Sequence, residues 1–193
     1  MTLKQMIARV NRALTGIAPG RIGEPDIVDM LNDAQRELAK QSTKVTEKEI
    51  EVDKNQEKVP FPDDLLILST VLWSDERREL MEEPTRMPER DFGDPRFYYI
   101  ENGQILFHPV PNRENTVHIV YKPEPEALKE DEDTPYIEGA GNYMVAYTLH
   151  RIHLENGTQV IGLWENEKYK ELISFLDGED QNYYTPFRVP PRW

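Results

Sequence analysis

Apolar residues recur at helical spacing at both ends of the chain and at strand spacing in its middle. Over 2–15, Leu3, Met6, Ile7, Val10 and Leu14 fall at i, i+3, i+4, i+7 and i+11 behind Thr2 as an N-cap, which predicts an amphipathic helix. Pro19-Gly20 closes it. A second helix is predicted over 26–40, with Ile27, Leu31, Ala34 and Leu38 as its stripe and Asn32, Asp33, Gln35, Arg36 and Glu37 on its polar face. Further on, Tyr143, Tyr147, His150 and Leu154 share one stripe over 138–156, with Gly157 placed to end the helix. Trp164, Tyr169, Leu172, Ile173 and Leu176 pattern a fourth helix over 162–176.

The middle reads differently. Phe97 to Ile100, Ile105 to Phe107 and Thr116 to Tyr121 are short aromatic and β-branched runs separated by turn residues. Asn102-Gly103 between two such runs is a strong hairpin signal, because both central positions of a type I′ turn need positive φ. A three-stranded antiparallel meander over 97–121 follows, and its apolar face needs cover. Ahead of it, Val45–Val52 and Lys58–Phe61 flank the polar Asp53-Lys54-Asn55-Gln56, which predicts a projecting hairpin over 45–61. Pro62-Asp63-Asp64-Leu65 reads as a short helical turn, and Val71–Trp73 as a strand paired with 77–80. The segment 81–95 is a proline-punctuated loop, with one helical turn expected over 88–92. The expected fold class is therefore α+β and mainly α. Antiparallel helices pack around a small antiparallel meander in one domain over 1–179, and an extended tail follows over 180–193.

Composition narrows the functional classes. The chain carries 36 acidic and 23 basic residues, a net charge of −13, which opposes tight sequence-specific binding to duplex DNA. No cysteine is present, so disulfides and thiolate metal sites are excluded. The apolar runs are a few residues long, too short to span a bilayer. The stretch 122–138, with seven acidic and two basic residues plus three prolines, is expected to be an extended connector. Tyr183, Tyr184, Phe187 and Trp193 crowd the last fourteen residues with Arg188 and Arg192, residue types that anchor protein interfaces.

Chemistry is sparse. Phosphate-binding loops, nucleophile elbows and HExxH spacing are all missing from the sequence. His150 and His153 lie three apart on a helix, but two histidines supply too few zinc ligands, and His150 falls on the apolar stripe. His108 and His118 are expected to meet across strands of the meander as packing residues. No enzyme, metal or cofactor is expected.

Five stretches in order carry a resemblance: LNDAQRELAK (31–40), VPFPDDLLILSTVLW (59–73), YYIENGQILFHPVP (98–111), VYKPEPEALKEDEDTPYI (120–137) and GNYMVAYTLHRIHLENG (141–157). Together the chain resembles the head-to-tail connector adaptor proteins, also called head-completion or neck proteins, of tailed bacteriophages. The resemblance implies a virion protein at the head–tail interface, present in the host cytoplasm during assembly. About a dozen copies form a ring beneath the portal protein, in a closed head-to-tail arrangement. DNA passes through the channel without sequence-specific binding. It further implies that 180–193 docks on the portal through Tyr183, Tyr184, Phe187, Arg188, Arg192 and Trp193. Asp53, Lys54, Asn55, Arg86, Arg90 and Phe92 are then candidates for contact with the next neck or tail-completion protein or with neighbouring subunits. A cellular protein-interaction domain with an aromatic docking tail, and a histidine-based metal hydrolase, are the competing classes.

Overall fold

A computed structural model describes residues 1–14, 22–74, 76–83 and 91–155, with side chains through residue 152. The helix expected over 162–176 and the tail over 180–193 lie outside the described residues, as does most of the loop turn expected over 88–92. The chain divides into two compact units, one built from 1–44 and 125–193 and the other from 45–124.

In the first unit the stripes expected for the first two helices hold, but the third helix turns a different face inward. Tyr147 is 37% exposed and Tyr143 and His150 are half-buried, since their polar tips keep access to water. α1 (Leu3–Leu14) buries Leu3, Met6, Ile7, Val10 and Leu14, and α2 (Glu24–Gln41) buries Ile27, Leu31, Ala34 and Leu38. α3 (Gly141–Glu155) adds Met144, Val145 and Ile152 to the same core. Thr2 caps α1 reciprocally: Gln5 N–H points to Thr2 Oγ1 at 3.5 Å, and Thr2 N–H donates to Gln5 Oε1 at 3.1 Å. Gly23 N–H donates to Asp26 Oδ2 (3.0 Å) at the start of α2, where Pro25 occupies the first turn and needs no amide partner.

The acidic segment after residue 124 is no free connector. It is bound to the helices by polar groups that read as solvent-facing in the sequence. Gln35, 3% exposed, donates Nε2–H to the Glu126 carbonyl (2.8 Å) and accepts Tyr136 N–H (2.8 Å). Asn32 accepts Leu128 N–H at 2.7 Å and donates to its carbonyl at 3.2 Å. Leu3 N–H donates to the Asp133 carbonyl (2.8 Å), so the start of α1 finds partners in the same segment. Asp133 accepts the amides of Glu130 and Lys129, which hold its carboxyl below the usual range. Leu128 and Ile137 enter the core beneath this network.

The second unit overturns the mainly α expectation. Ten strands accompany the three helices among the described residues. β1 (Thr46–Val52), β10 (Asn115–Pro123), β3 (Leu65–Trp73) and β4 (Arg78–Glu79) form one sheet in the order β1-β10-β3-β4. β2 (Lys58–Pro60), β8 (Gln104–His108), β7 (Phe97–Glu101) and β5 (Met81–Glu82) form a second, in the order β2-β8-β7-β5. β6 (Phe92–Gly93) and β9 (Val110–Pro111) pair in parallel. Val52, Val71, Trp73, Val117, Ile119 and Tyr121 of the first sheet share one core with Val59, Tyr98, Ile105 and Phe107 of the second. The Trp73 and Phe107 rings lie 5.3 Å apart at its centre.

The hairpin at Asn102-Gly103 forms as expected, with φ of 51° and 72° and Glu101 opposite Gln104. Three other readings need correction. The third run of the meander leaves β8 and enters the other sheet, pairing with β1 on one side and β3 on the other. Residues 45–61 are not one hairpin, because β1 pairs with β10 and β2 with β8. The physical reason is partner choice: Ile50 and Val52 face the core beside Val117, whereas Val59 meets Ile105. Leu65, Leu66 and Leu68 are strand residues rather than a helical turn. A continuous apolar run does not distinguish a short helix from a buried strand by periodicity.

The core and turn predict two different costs. Trp73→Ala removes the largest buried side chain of the second unit and is expected to lose about 3–5 kcal/mol. A Cβ at Gly103 meets nothing within 4 Å, so Gly103→Ala carries only the left-handed backbone penalty, about 1–2 kcal/mol. Denaturant unfolding monitored by circular dichroism measures both. Equal losses would contradict the assignment of the core to Trp73.

Candidate functional site

The expected contact residues that are described gather around β9. The turn after β1 exposes Asp53, Lys54 and Asn55 and is closed internally, with Asp53 N–H donating to Gln56 Oε1 (2.8 Å) and Gln56 N–H to the Asp53 carbonyl (3.1 Å). Asn55 takes φ 66°, which asparagine tolerates, and donates its N–H to the Pro111 carbonyl at 2.8 Å. β6 lies along the same short strand, with Phe92 opposite Val110 and Gly93 opposite Pro111. Phe92 is 54% exposed, an unusual position for a large aromatic ring. Asp94 and Arg113 close this corner with a two-pronged ion pair at 2.9 and 3.1 Å. The arrangement presents an exposed ring beside a rigid polar turn and has no evident reactive chemistry. Such a combination suits protein contact.

A second constellation, absent from the sequence reading, lies on the outward face of the β1-β10-β3-β4 sheet. Glu49, His118, Leu72 and Glu79 stand opposite one another across its four strands. His118 is 6% exposed and directs Nδ1 to Glu47 Oε1 at 2.9 Å and to Glu49 Oε1 at 3.5 Å. Arg77, from the turn before β4, grips both oxygens of Glu47 at 2.9 and 2.5 Å. The Arg77 hydrogen bond, reinforced by His118, holds the Glu47 carboxyl below its ordinary value against the opposing effect of burial. One signal for this cluster was available in the sequence. Glu47, Glu49 and Glu51 alternate along β1, and His118 alternates out of phase with the core residues Val117 and Ile119. His108 and His118 do not meet across a pair of strands, since they belong to different sheets.

Two tyrosine hydroxyls of the same unit are also tied to carboxylates. Tyr121 donates to Asp64 (2.7 Å) and Tyr98 to Glu82 (3.3 Å). Burial first, and the adjacent carboxylate second, push each phenol up to about 12, so both remain neutral donors.

The sequence model of the SU10 adaptor protein family matches residues 1–190. The chain belongs to that family. Comparison with curated proteins finds no match. This adaptor is thus a structural component of a bacteriophage virion. Among its described residues no helix is long and apolar enough to cross a membrane. The structure brings Asp53, Lys54, Asn55 and Phe92 of the adaptor into one corner. Arg86 and Arg90 lie outside the described residues, together with Tyr183, Tyr184, Phe187, Arg188, Arg192 and Trp193. His150 is half-buried on α3, and the His153 side chain lies outside the described set.

The lowered Glu47 value fixes the sign of an acid effect. A carboxylate held below its ordinary 4.5 contributes stability that is fully present above that pH and is lost as pH falls through the lowered value. Glu47→Gln is expected to be less stable than wild type at pH 7, with the gap closing as the pH drops below about 4.5. Thermal melts of both proteins between pH 3 and 7 measure the gap. A gap that widens in acid would overturn the assignment.

Proposed function

We propose that this adaptor occupies the neck of a tailed phage, where copies assemble as a ring beneath the portal protein and join the DNA-filled head to the tail. The match to the adaptor family across nearly the whole chain carries the reading. The segment 180–193 supplies the portal anchor through Tyr183, Tyr184, Phe187, Arg188, Arg192 and Trp193, residue types that concentrate binding energy at interfaces. The β9 corner, with Phe92 beside Asp53, Lys54 and Asn55, meets the next neck component or a neighbouring subunit, and Arg86 and Arg90 extend that contact. About twelve copies close the ring by a head-to-tail interface, in which one surface of each copy meets a different surface of the next. DNA passes through the channel during ejection. The net charge of −13 supports passage without adhesion, since few phosphate contacts are on offer.

Portal binding is tested by multi-angle light scattering on the full chain and on a chain ending at Gly178, each mixed with the portal of its own phage. The full chain is expected to join the portal in a defined multiple and the shortened chain to remain separate. Equal binding by both would remove the anchor from 180–193. Failure of the full chain to bind would contradict the neck assignment. In the same assay Phe92→Ala is expected to leave portal binding intact and to weaken capture of the next neck component at least tenfold, the scale of an interface hot spot.

A further inference from the structure

We propose that Glu47, Glu49 and His118 form a site for a divalent transition-metal ion of the zinc type, on the outward face of the β1-β10-β3-β4 sheet. The donors are one imidazole nitrogen and two carboxylate oxygens, the set that imidazole-binding divalent metals share. The three donor atoms all lie within 4.8 Å of one another. Ligands about 2.0–2.2 Å from a tetrahedral ion sit roughly 3.4 Å apart, and the two separations from Nδ1, 2.9 and 3.5 Å, bracket that spacing. Little movement is needed to admit an ion.

Several observations distinguish this cluster from a routine patch of surface acids. Its imidazole is more than nine-tenths buried, and its Nε2 makes no hydrogen bond among the described residues. All polar interaction of a buried ring is therefore directed through Nδ1 into the carboxylate pair. A hydrogen bond to that ring explains the position of Glu47. It does not explain Glu49, whose side chain is 69% exposed and free to point into solvent, yet turns Oε1 to 3.5 Å from the same nitrogen. That exposure also supplies an entry path and leaves a coordination position for water.

Arg77 is a positioning residue here. It holds both oxygens of Glu47, as outer hydrogen bonds orient carboxylate ligands in metal sites. Its charge opposes a cation, but Glu47 and Glu49 exceed it by one negative charge. Glu79, bonded to Thr70 in the same cross-sheet row, adds another. An ion here would tie the start of edge strand β1 to β10.

The test is calorimetric titration of Zn²⁺ into the full-length protein, with Co²⁺ absorption in the visible region as a second readout of coordination. One ion per chain is expected to bind saturably and to raise the melting temperature, since it binds only the folded site. Glu49→Gln removes a single exposed ligand without disturbing the core and is expected to weaken binding about 10- to 100-fold. His150→Ala, on α3, is expected to change nothing. Absence of saturable binding by wild type would overturn the proposal. So would undiminished binding by Glu49→Gln, or loss of binding in His150→Ala. None of these results depends on the adaptor assignment.

Discussion

β10 is the constraint on which the sheet-bearing unit depends. Its nine residues pair with β1 along one edge and with β3 along the other, and Val117, Ile119 and Tyr121 point from it into the core. A strand hydrogen-bonded on both sides has its backbone groups satisfied without solvent, so it can be buried. The opposite row carries His118, which reaches Glu47 and Glu49 of β1 while Arg77 holds Glu47 from the turn before β4. One strand thus organises a dry face and a charged face. The β7–β8 hairpin contributes Tyr98, Ile105 and Phe107 to the dry side.

The helical unit solves a different problem by related means. Its three helices bury one-sided stripes, and the acidic segment 125–140 lies on them through Asn32 and Gln35. Side-chain amides suit this task, because each offers both a donor and an acceptor to a backbone that has no sheet partner. A segment rich in like charge is thereby ordered next to the helices. For a structural protein of a virion the consequence is a fixed surface with much of its charge facing outward. The β9 corner is fixed in the same sense, since the Asn55 amide and the β6 pairing both anchor to Val110–Pro111.

Local signals were legible in the sequence and non-local ones were not. The stripes of α1 and α2 and the caps around Thr2 and Pro25 are consequences of residues a few positions apart. So are the Asn102-Gly103 turn and the pairing of 71–73 with residues beyond Ser74. The destination of β10 is another matter. Pro109 and Pro111 signal that the chain turns, but whether Thr116–Tyr121 returns to its neighbour or crosses to another sheet depends on partners 44–75 positions away. The same holds for β1 and β2, which look like two arms of one hairpin because Asp53–Gln56 is a good turn wherever its flanks go. At the candidate site, exposure of Phe92 and the closeness of Asp53, Lys54 and Asn55 follow from β6 and β9, two-residue strands with no periodicity to read. The acidic alternation of β1 was visible, but its meaning required knowing that His118 lies opposite Glu49.

The proposed place of this chain is the neck of its phage. Electron cryomicroscopy of the mature virion, with symmetry-free reconstruction of the head–tail junction, tests it most directly. Density for this chain is expected in a closed ring directly beneath the portal, with residues 180–193 against the portal surface and an open channel at the centre. Density for the chain elsewhere in the particle, or a junction in which another protein occupies that ring, would contradict it.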